Sequence, residues 1–208
     1  MKYYMLSRKK EPACPMGMLD ATLYDKVYDD WGSVAHGYFP WYANAGRPNL
    51  HEKLPSGLIL VGRSKKYLFG ARQLIRDLYV FSSNFVSACR QANASFFDFE
   101  PVDFKVSNGS EVNPLGYYVG VFESYAIEEV VDPQSVLQVD EFDQVESFSK
   151  LVIREGFSAA LFRIKDFNPE VSTLFCNEIF MQKAMDNHVQ GIEFLSLDEC
   201  DSSSLDTI

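Results

Sequence analysis

Residues 79–99 read YVFSSNFVSACRQANASFFDF, a stretch that predicts one strand–helix–strand unit. Ser82 follows a short apolar run, and serine is a favoured residue at the N-cap of a helix. The apolar residues beyond it recur at helical spacing: Phe85, Val86, Cys89 and Ala92. This periodicity predicts an amphipathic helix over residues 83–93.

The residues after this helix alternate between apolar and charged side chains. Such alternation is typical of a half-buried strand, because successive side chains of a strand point to opposite faces. We therefore expect Phe97 and Phe99 to point inward and Asp98 to lie on the opposite face.

A second stretch, residues 174–194, follows the same order as residues 79–99. Asn177 is placed to cap a helix over residues 178–188, and a strand follows the helix. The strand repeats the apolar–acidic–apolar alternation in Ile192, Glu193 and Phe194. The match indicates a weak internal repeat, with Ile192 and Phe194 facing inward.

The remaining apolar runs are short, as expected for strands. They lie at residues 57–62, 117–122, 126–131, 151–153 and 160–164. Together with the two helices they predict an α+β fold, a mostly antiparallel sheet with few helices. We also expect two similar strand–helix–strand lobes that share one core.

The amino-acid composition divides the chain into three parts. Residues 1–75 form an aromatic-rich N-terminal segment, which we expect to pack on the main domain. Residues 76–197 form that α+β domain. Residues 198–208 are rich in Ser and Asp and form an acidic tail that we expect to be flexible.

The composition of the chain argues against some classes of binding partner. The 208 residues carry a formal net charge of −10, with 47% hydrophobic residues. A nucleic-acid partner is therefore not expected, since nucleic-acid binders need a basic surface. A basic protein partner is compatible with this charge. No apolar run approaches the roughly 20 residues of a membrane span, so no membrane partner is expected either.

The first residues contain no apolar signal core, and the four cysteines form no CxxC pair. Both features predict a cytoplasmic protein with reduced thiols.

No motif predicts a catalytic, cofactor or metal site. Gly156 and Ser158 resemble part of a nucleophile elbow, but the second glycine is missing and the downstream His188 lies at a predicted helix end. The segment 57–64 resembles a phosphate-binding loop, but its middle residues form an apolar strand. The three histidines lack metal-ligand spacing. We therefore expect no catalytic residues, no cofactor and no bound metal.

The most unusual local feature is an aromatic and acidic stretch in a Gly- and Pro-rich segment. Its candidate partner-binding residues are Asp29, Asp30, Trp31, Tyr38 and Trp41. One interpretation is that the rings cover the open face of the sheet. The other is a contact surface for another protein, because Trp and Tyr dominate interface hot spots.

Acidic residues are concentrated between positions 98 and 146, where twelve of them accompany one basic residue, Lys105. A solvated sheet face with acidic loops is one interpretation. A docking surface for a cationic partner is the other.

From about residue 78 onward the order of the segments resembles one protein family. Its pieces are Phe81-Ser82, residues 97–102, Tyr117-Tyr118-Val119, residues 131–135, residues 161–164, residues 177–180 and residues 191–194. In this order and spacing, over residues 78–197, the chain resembles the bacterial immunity proteins of polymorphic-toxin systems. The first seventy residues have no counterpart in that family, and the Asn that is common in its Tyr-Tyr strand is replaced near Gly120.

The resemblance implies a cytosolic, non-enzymatic antidote that binds a cognate toxin domain and neutralises it by occlusion. It implies no catalytic residues, because the family has none that can be carried over. Two other functions stay open on sequence grounds. One is a small hydrolase or transferase that uses the acidic cluster in residues 98–146, and the other is a self-associating structural or regulatory protein.

Overall fold

The computed structural model describes residues 1–33, 53–64, 66–75, 77–112, 116–165, 167 and 173–199. The strands are β1 (Tyr3–Arg8), β2 (Ala21–Tyr24), β3 (Leu58–Gly62), β4 (Ala71–Ile75), β5 (Leu78–Ser82), β6 (Phe96–Val106), β7 (Tyr117–Phe122), β8 (Ser124–Tyr125), β9 (Val136–Val139), β10 (Val145–Lys150), β11 (Leu161–Ile164), β12 (Phe175–Asn177) and β13 (Ile192–Ser196). The α-helices are α1 (Ser83–Gln91), α2 (Ile127–Val130) and α3 (Glu178–Asp186), and a 3-10 helix spans Trp31–Ser33.

The strands form three sheets. The first has six strands in the order β2-β3-β6-β7-β5-β4, and the second has five in the order β13-β1-β12-β11-β8. Strands β9 and β10 form a separate hairpin. Most neighbours are antiparallel, and the parallel pairs are β3 with β6 and β8 with β11. The predicted α+β class, with mostly antiparallel sheet and few helices, is therefore confirmed.

The two predicted helices are present and end slightly earlier than expected. The side chain of Ser82 accepts a hydrogen bond from the backbone N–H of Phe85, and the side chain of Asn177 accepts one from Phe180. Both caps satisfy a backbone donor that the first helical turn leaves without a partner.

The helix ends also correspond. After α1, Asn93 adopts a positive φ of 54°, and after α3, His188 adopts one of 52°. A left-handed residue of this kind commonly terminates a helix. The following N–H groups return to matching carbonyls, from Ala94 to Cys89 and from Val189 to Ala184. The structure therefore contains the internal repeat that the sequence indicates only weakly.

The repeat extends to the strands, but the second copy is completed from the other end of the chain. The first copy runs β4-β5-α1-β6-β7, and β7 lies between β5 and β6. The second runs β11-β12-α3-β13, and the N-terminal strand β1 lies between β12 and β13.

The strand register supports this equivalence between β1 and β7. Tyr117 is opposite Ser82, the cap of α1, and Tyr3 is opposite Asn177, the cap of α3. The N–H of Ser83 donates to Gly116 at 2.8 Å, just as the N–H of Glu178 donates to Lys2 at 3.0 Å. Tyr3-Tyr4-Met5 therefore takes the place that Tyr117-Tyr118-Val119 holds in the first copy.

Three apolar cores hold the repeats together. The central core joins both copies through α1 and α3, where the rings of Phe85 and Phe180 meet edge to face with centroids 5.4 Å apart. The second core covers the other face of the six-stranded sheet with Leu19, Leu23 and Leu54. The third covers the five-stranded sheet with residues of α2 and of the β9–β10 hairpin.

The prediction that Phe97 points inward is wrong, because its side chain is 46% exposed. The register of β6 and β7 shifts between the pairs Phe96–Phe122 and Asp98–Val121. This irregularity inserts one extra residue and reverses the alternation on its N-terminal side. Phe96 packs against the central core in its place, and Phe99 packs there as predicted. Ile192 is buried, Phe194 packs against the same core, and Glu193 is exposed as predicted.

Two further expectations are wrong. Residues 126–131 contain the helix α2 instead of a strand, because the carboxylate of Glu129 accepts a hydrogen bond from the N–H of Ala126 at 2.7 Å and closes the first turn. Residues 151–153 contribute only an isolated bridge at Ile153, and the strand of this region, β10, ends at Lys150.

The N-terminal 75 residues supply strands β1 to β4, which belong to both large sheets. β1 is an inner strand of the five-stranded sheet, and β3 pairs with β6 inside the six-stranded sheet. Residues 200–208 of the predicted tail lie outside the described residues.

The two copies differ at one pair of equivalent core positions, Gly120 in β7 and Leu6 in β1. A Cβ atom on Gly120 would lie 2.5 Å from the carbonyl oxygen of Asp98 and 3.0 Å from the ring of Phe81. In the second copy the smaller Cys176 stands opposite Tyr4, as Phe81 stands opposite Tyr118. Leu6 is fully buried in this second copy, where no phenylalanine stands opposite Tyr4.

We predict that Gly120→Ala lowers the free energy of unfolding by about 2–3 kcal/mol, because the added methyl group overpacks the central core. Urea unfolding followed by circular dichroism measures this value. Gly17→Ala is the control: an added Cβ meets nothing within 4 Å there, and the change should cost less than about 0.5 kcal/mol. Equal stability of the two variants would contradict the packing argument.

Candidate functional site

The described part of the aromatic and acidic stretch lies beyond the end of strand β2. β2 pairs only with β3 in the six-stranded sheet, so it forms one edge of that sheet in the described residues. Tyr24 ends the strand and is buried, and the chain then turns into the short 3-10 helix that begins at Trp31.

Three rings form an aromatic cluster there, made of Tyr24, Tyr28 and Trp31. The ring of Trp31 lies 4.8 Å from that of Tyr24 and 6.2 Å from that of Tyr28, measured between centroids. Trp31 and Tyr28 are half-buried, so each presents part of its ring to solvent. The cluster therefore rests on the sheet edge through Tyr24 and stays accessible through Trp31.

The acidic residues beside this cluster are exposed. Asp30 uses its carboxylate to accept the N–H of Gly32 at 2.9 Å, and its carbonyl accepts the hydroxyl of Ser33 at 2.7 Å. These bonds fix the backbone of the 3-10 turn that carries Trp31. Asp29 is exposed immediately before it. Tyr38 and Trp41, the other two predicted partner-binding residues, lie outside the described residues.

Local charges act on Tyr28. Its hydroxyl donates to the carboxylate of Asp25 at 3.0 Å, and this hydrogen bond raises the pKa of the phenol above its ordinary value. The ammonium of Lys26 lies 5.3 Å from the centre of the same ring, within cation–π range. The cluster is therefore polar at its outer side and apolar where it meets the sheet.

The acidic stretch 98–146 is distributed over several elements. Its carboxylates often stabilise local backbone: Asp98 accepts the N–H of Leu54 at 2.7 Å, Glu129 caps α2, and Asp132 accepts the N–H of Gln134 at 3.0 Å. Asp140 does the same at the tip of the β9–β10 hairpin. These hydrogen bonds show that several of the carboxylates stabilise turns and the start of a helix.

The serine and the histidine that the sequence analysis considered as nucleophile and base lie in different segments of the fold. Ser158 is exposed in the segment between β10 and β11, and His188 is the exposed left-handed residue after α3. His36 and His51 lie outside the described residues. Within the described ranges, no three His, Cys, Asp or Glu side chains are grouped so that they could hold a metal ion.

One charged residue that the sequence analysis did not single out is fully buried. Arg72 of β4 donates to three backbone carbonyls, those of Pro15 at 2.8 Å, Ala71 at 2.7 Å and Gly191 at 2.9 Å. Burial lowers the pKa of its guanidinium to about 10. Its contacts join the segment after β1, the first repeat and the second repeat, so its role is structural.

Two of the cysteines are core residues. Cys89 and Cys176 are fully buried in the central core and are not joined in a disulfide. Burial raises the pKa of both thiols well above their ordinary value. Cys14 is half-buried, and its thiol donates to the carbonyl of Leu68.

A comparison with curated protein sequences finds no match, and no protein-family model matches the chain. Across the described residues, no helix combines the length and apolarity that crossing a membrane requires.

We predict that Trp31→Ala lowers the free energy of unfolding by about 1–2 kcal/mol, less than the 3–5 kcal/mol of a buried tryptophan. The reason is that the indole is half-exposed and packs on one side only. Urea unfolding followed by circular dichroism measures the loss. Tyr24→Phe is the control, since it keeps the ring and removes only a 3.4 Å hydrogen bond to Trp31. A loss of about 3–5 kcal/mol for Trp31→Ala would assign the indole to the core.

We also predict that iodoacetamide leaves Cys89 and Cys176 unmodified in the folded protein at pH 8. A buried thiol with a raised pKa forms little of the reactive thiolate. Peptide mapping by mass spectrometry measures the modification, and the same reaction in denaturant is the control, in which both residues should react fully. Rapid modification of either residue in the folded protein would show that the central core opens.

Proposed function

We propose that this chain is a cytoplasmic, non-enzymatic immunity protein that binds a cognate bacterial toxin domain and neutralises it by occlusion. The observation that carries the proposal is the aromatic cluster of Tyr24, Tyr28 and Trp31 with the exposed Asp29 and Asp30 beside it. A half-exposed Trp and Tyr next to acidic side chains provide the residue types that dominate protein–protein hot spots.

The location of the cluster supports the proposal. Most of the segments that resemble the immunity proteins coincide with elements of the two repeats, such as β5, β7, β11 and α3. The aromatic cluster lies outside those repeats, beyond an edge strand. Segments carried on a rigid framework can vary with the partner without loss of the core, which suits a protein that recognises one particular toxin.

Net charge supports a basic partner. A chain with a formal charge of −10 attracts a cationic domain over a distance of about 8–10 Å at physiological salt. Electrostatic steering raises the rate of association, and fast capture suits an antidote that must act before its toxin does.

The cytoplasmic location is supported by the cysteines. The buried Cys89 and Cys176 are free thiols, as expected for a chain that folds in a reducing compartment.

The test is co-expression with the C-terminal domain encoded by the neighbouring open reading frame. We expect this chain to restore growth of cells that produce the domain, and we expect the two proteins to co-purify. A toxin domain that kills equally well in its presence and does not co-purify would contradict the proposed function. Turnover of the toxin domain, or of a small substrate, by the purified chain would favour the hydrolase or transferase instead.

The same pair of proteins tests the aromatic cluster. Trp31→Ala should weaken toxin binding by about tenfold, because hot-spot aromatic residues contribute more than about 1 kcal/mol each. Isothermal titration calorimetry measures the affinity, and Met185→Ala, at an exposed residue of α3 outside the cluster, is the control that should bind like the wild type. Unchanged affinity in a stable Trp31→Ala protein would remove the cluster from the interface without removing the function.

A further inference from the structure

The β9–β10 hairpin carries the most exposed large apolar side chain among those described in the structure. Phe142 lies at the hairpin tip with 73% of its surface accessible, and Val136 and Val139 of β9 are also more than half exposed. Several exposed apolar side chains on one small element are typical of a protein interaction site.

The base of the hairpin contributes side chains to the third core, whereas the tip does not. Val145 and Phe148 are buried in the third core, where they cover the five-stranded sheet, and Leu137 packs against them. Beyond the pair Val139–Val145 the chain leaves the core. Core packing therefore explains Leu137, Val145 and Phe148 and gives no reason for a phenylalanine at position 142.

The tip presents this ring from an ordered turn. The carboxylate of Asp140 accepts the N–H groups of Phe142 and Gln144, both at 2.8 Å. The N–H of Asp140 also donates to the carbonyl of Gln144 at 2.9 Å. Since these bonds fix the backbone before any partner binds, little conformational entropy is lost when the ring is covered.

The charged side chains near Phe142 in sequence are all acidic. Glu141, Asp143 and Glu146 are exposed close to Phe142 in sequence, and residues 132–146 contain five acidic residues and no basic one. A second copy of this chain would bring like charges together at the tip, which disfavours self-association there. The charge fits a cationic protein surface.

We infer that the tip of the β9–β10 hairpin is an anchor that inserts Phe142 into an apolar pocket on a basic protein, the surrounding carboxylates pairing with cations at the pocket rim. The inference rests on the proposed function, since the cationic protein is then the toxin domain. It adds a second contact surface, on a different sheet from the aromatic cluster at β2.

The experiment uses the full chain and the toxin domain from the neighbouring open reading frame. Phe142→Ala should weaken binding by about thirtyfold, as expected for the loss of a central aromatic anchor. Its melting temperature should stay within about 2 °C of the wild-type value, because the ring is mainly exposed. Met185→Ala, at a 58% exposed residue of α3, is the matched control and should bind like the wild type.

A second variant tests the charge. Glu141→Gln combined with Asp143→Asn should slow association roughly fivefold at low salt, and the difference should vanish near about 1 M salt. Asn is chosen at position 143 because φ is 60° there and Asn tolerates this conformation. Glu193→Gln combined with Glu199→Gln removes two exposed charges elsewhere and is the control.

The outcomes separate the two proposals. If the wild-type chain neither binds the toxin domain nor restores growth, the proposed function and the hairpin anchor are both overturned. If the wild-type chain binds but Phe142→Ala binds equally tightly, only the anchor is overturned. If cytochrome c, an unrelated basic protein, binds the chain as tightly as the toxin domain, the contact is charge attraction alone and the anchor is again overturned.

Discussion

The structure depends on the insertion of the N-terminal strand β1 between β12 and β13. Without it the second repeat would lack the strand that β7 supplies to the first. β13 would lose its partner in the five-stranded sheet, and β12 would keep only β11. Hydrogen bonds hold β1 on both sides, from the N–H of Leu6 to Leu174 at 2.9 Å and from the N–H of Leu197 to Tyr3 at 3.2 Å. The first strand of the chain therefore pairs directly with its last described strand, and the two fold as one unit.

The insertion of β1 also explains the buried arginine. The chain leaves β1 beside the start of β13, where the N–H of Lys9 donates to Gly191 and the carboxylate of Glu11 accepts the N–H of Gly191. Arg72 lies at the same place and donates to Gly191 and Pro15. Removing a guanidinium from water costs several kcal/mol, and charge-assisted hydrogen bonds to fixed carbonyls offset that cost. The position of Arg72 thus depends on the closure that β1 makes.

Some of the architecture could be predicted because its causes are local. Ser82 and Asn177 mark helix starts through a hydrogen bond to a residue three positions later, and this spacing is visible in the sequence. The inward side of β6 could not be predicted in the same way. The extra residue near Phe97 is set by the register with β7, which depends on packing across the sheet. In α2, the carboxylate of Glu129 accepts a hydrogen bond from the N–H of Ala126. This bond favours the helix over the strand that the β-branched residues of the segment would prefer.

The place of β1 had a signal in the sequence, because Tyr3-Tyr4 matches Tyr117-Tyr118, but a repeat search that expects each copy to be continuous does not find it. The candidate site was only partly predictable. Trp31 stood out through its residue type in a polar segment. Arg72 and Phe142 are ordinary in sequence, and only the structure shows that Arg72 is buried and Phe142 exposed.

The two candidate surfaces follow from the way the repeats are built. The repeats use apolar side chains for the central core, and both proposed contact surfaces lie on segments added to the repeats. Two such additions are described: the chain after β2, and the β9–β10 hairpin between β7 and β11. Each carries an accessible aromatic side chain next to carboxylates, and each is anchored by buried residues of a different outer core. Under the proposed function, such a chain can change its partner by altering these tips while Phe85, Phe180 and the helices around them stay unchanged.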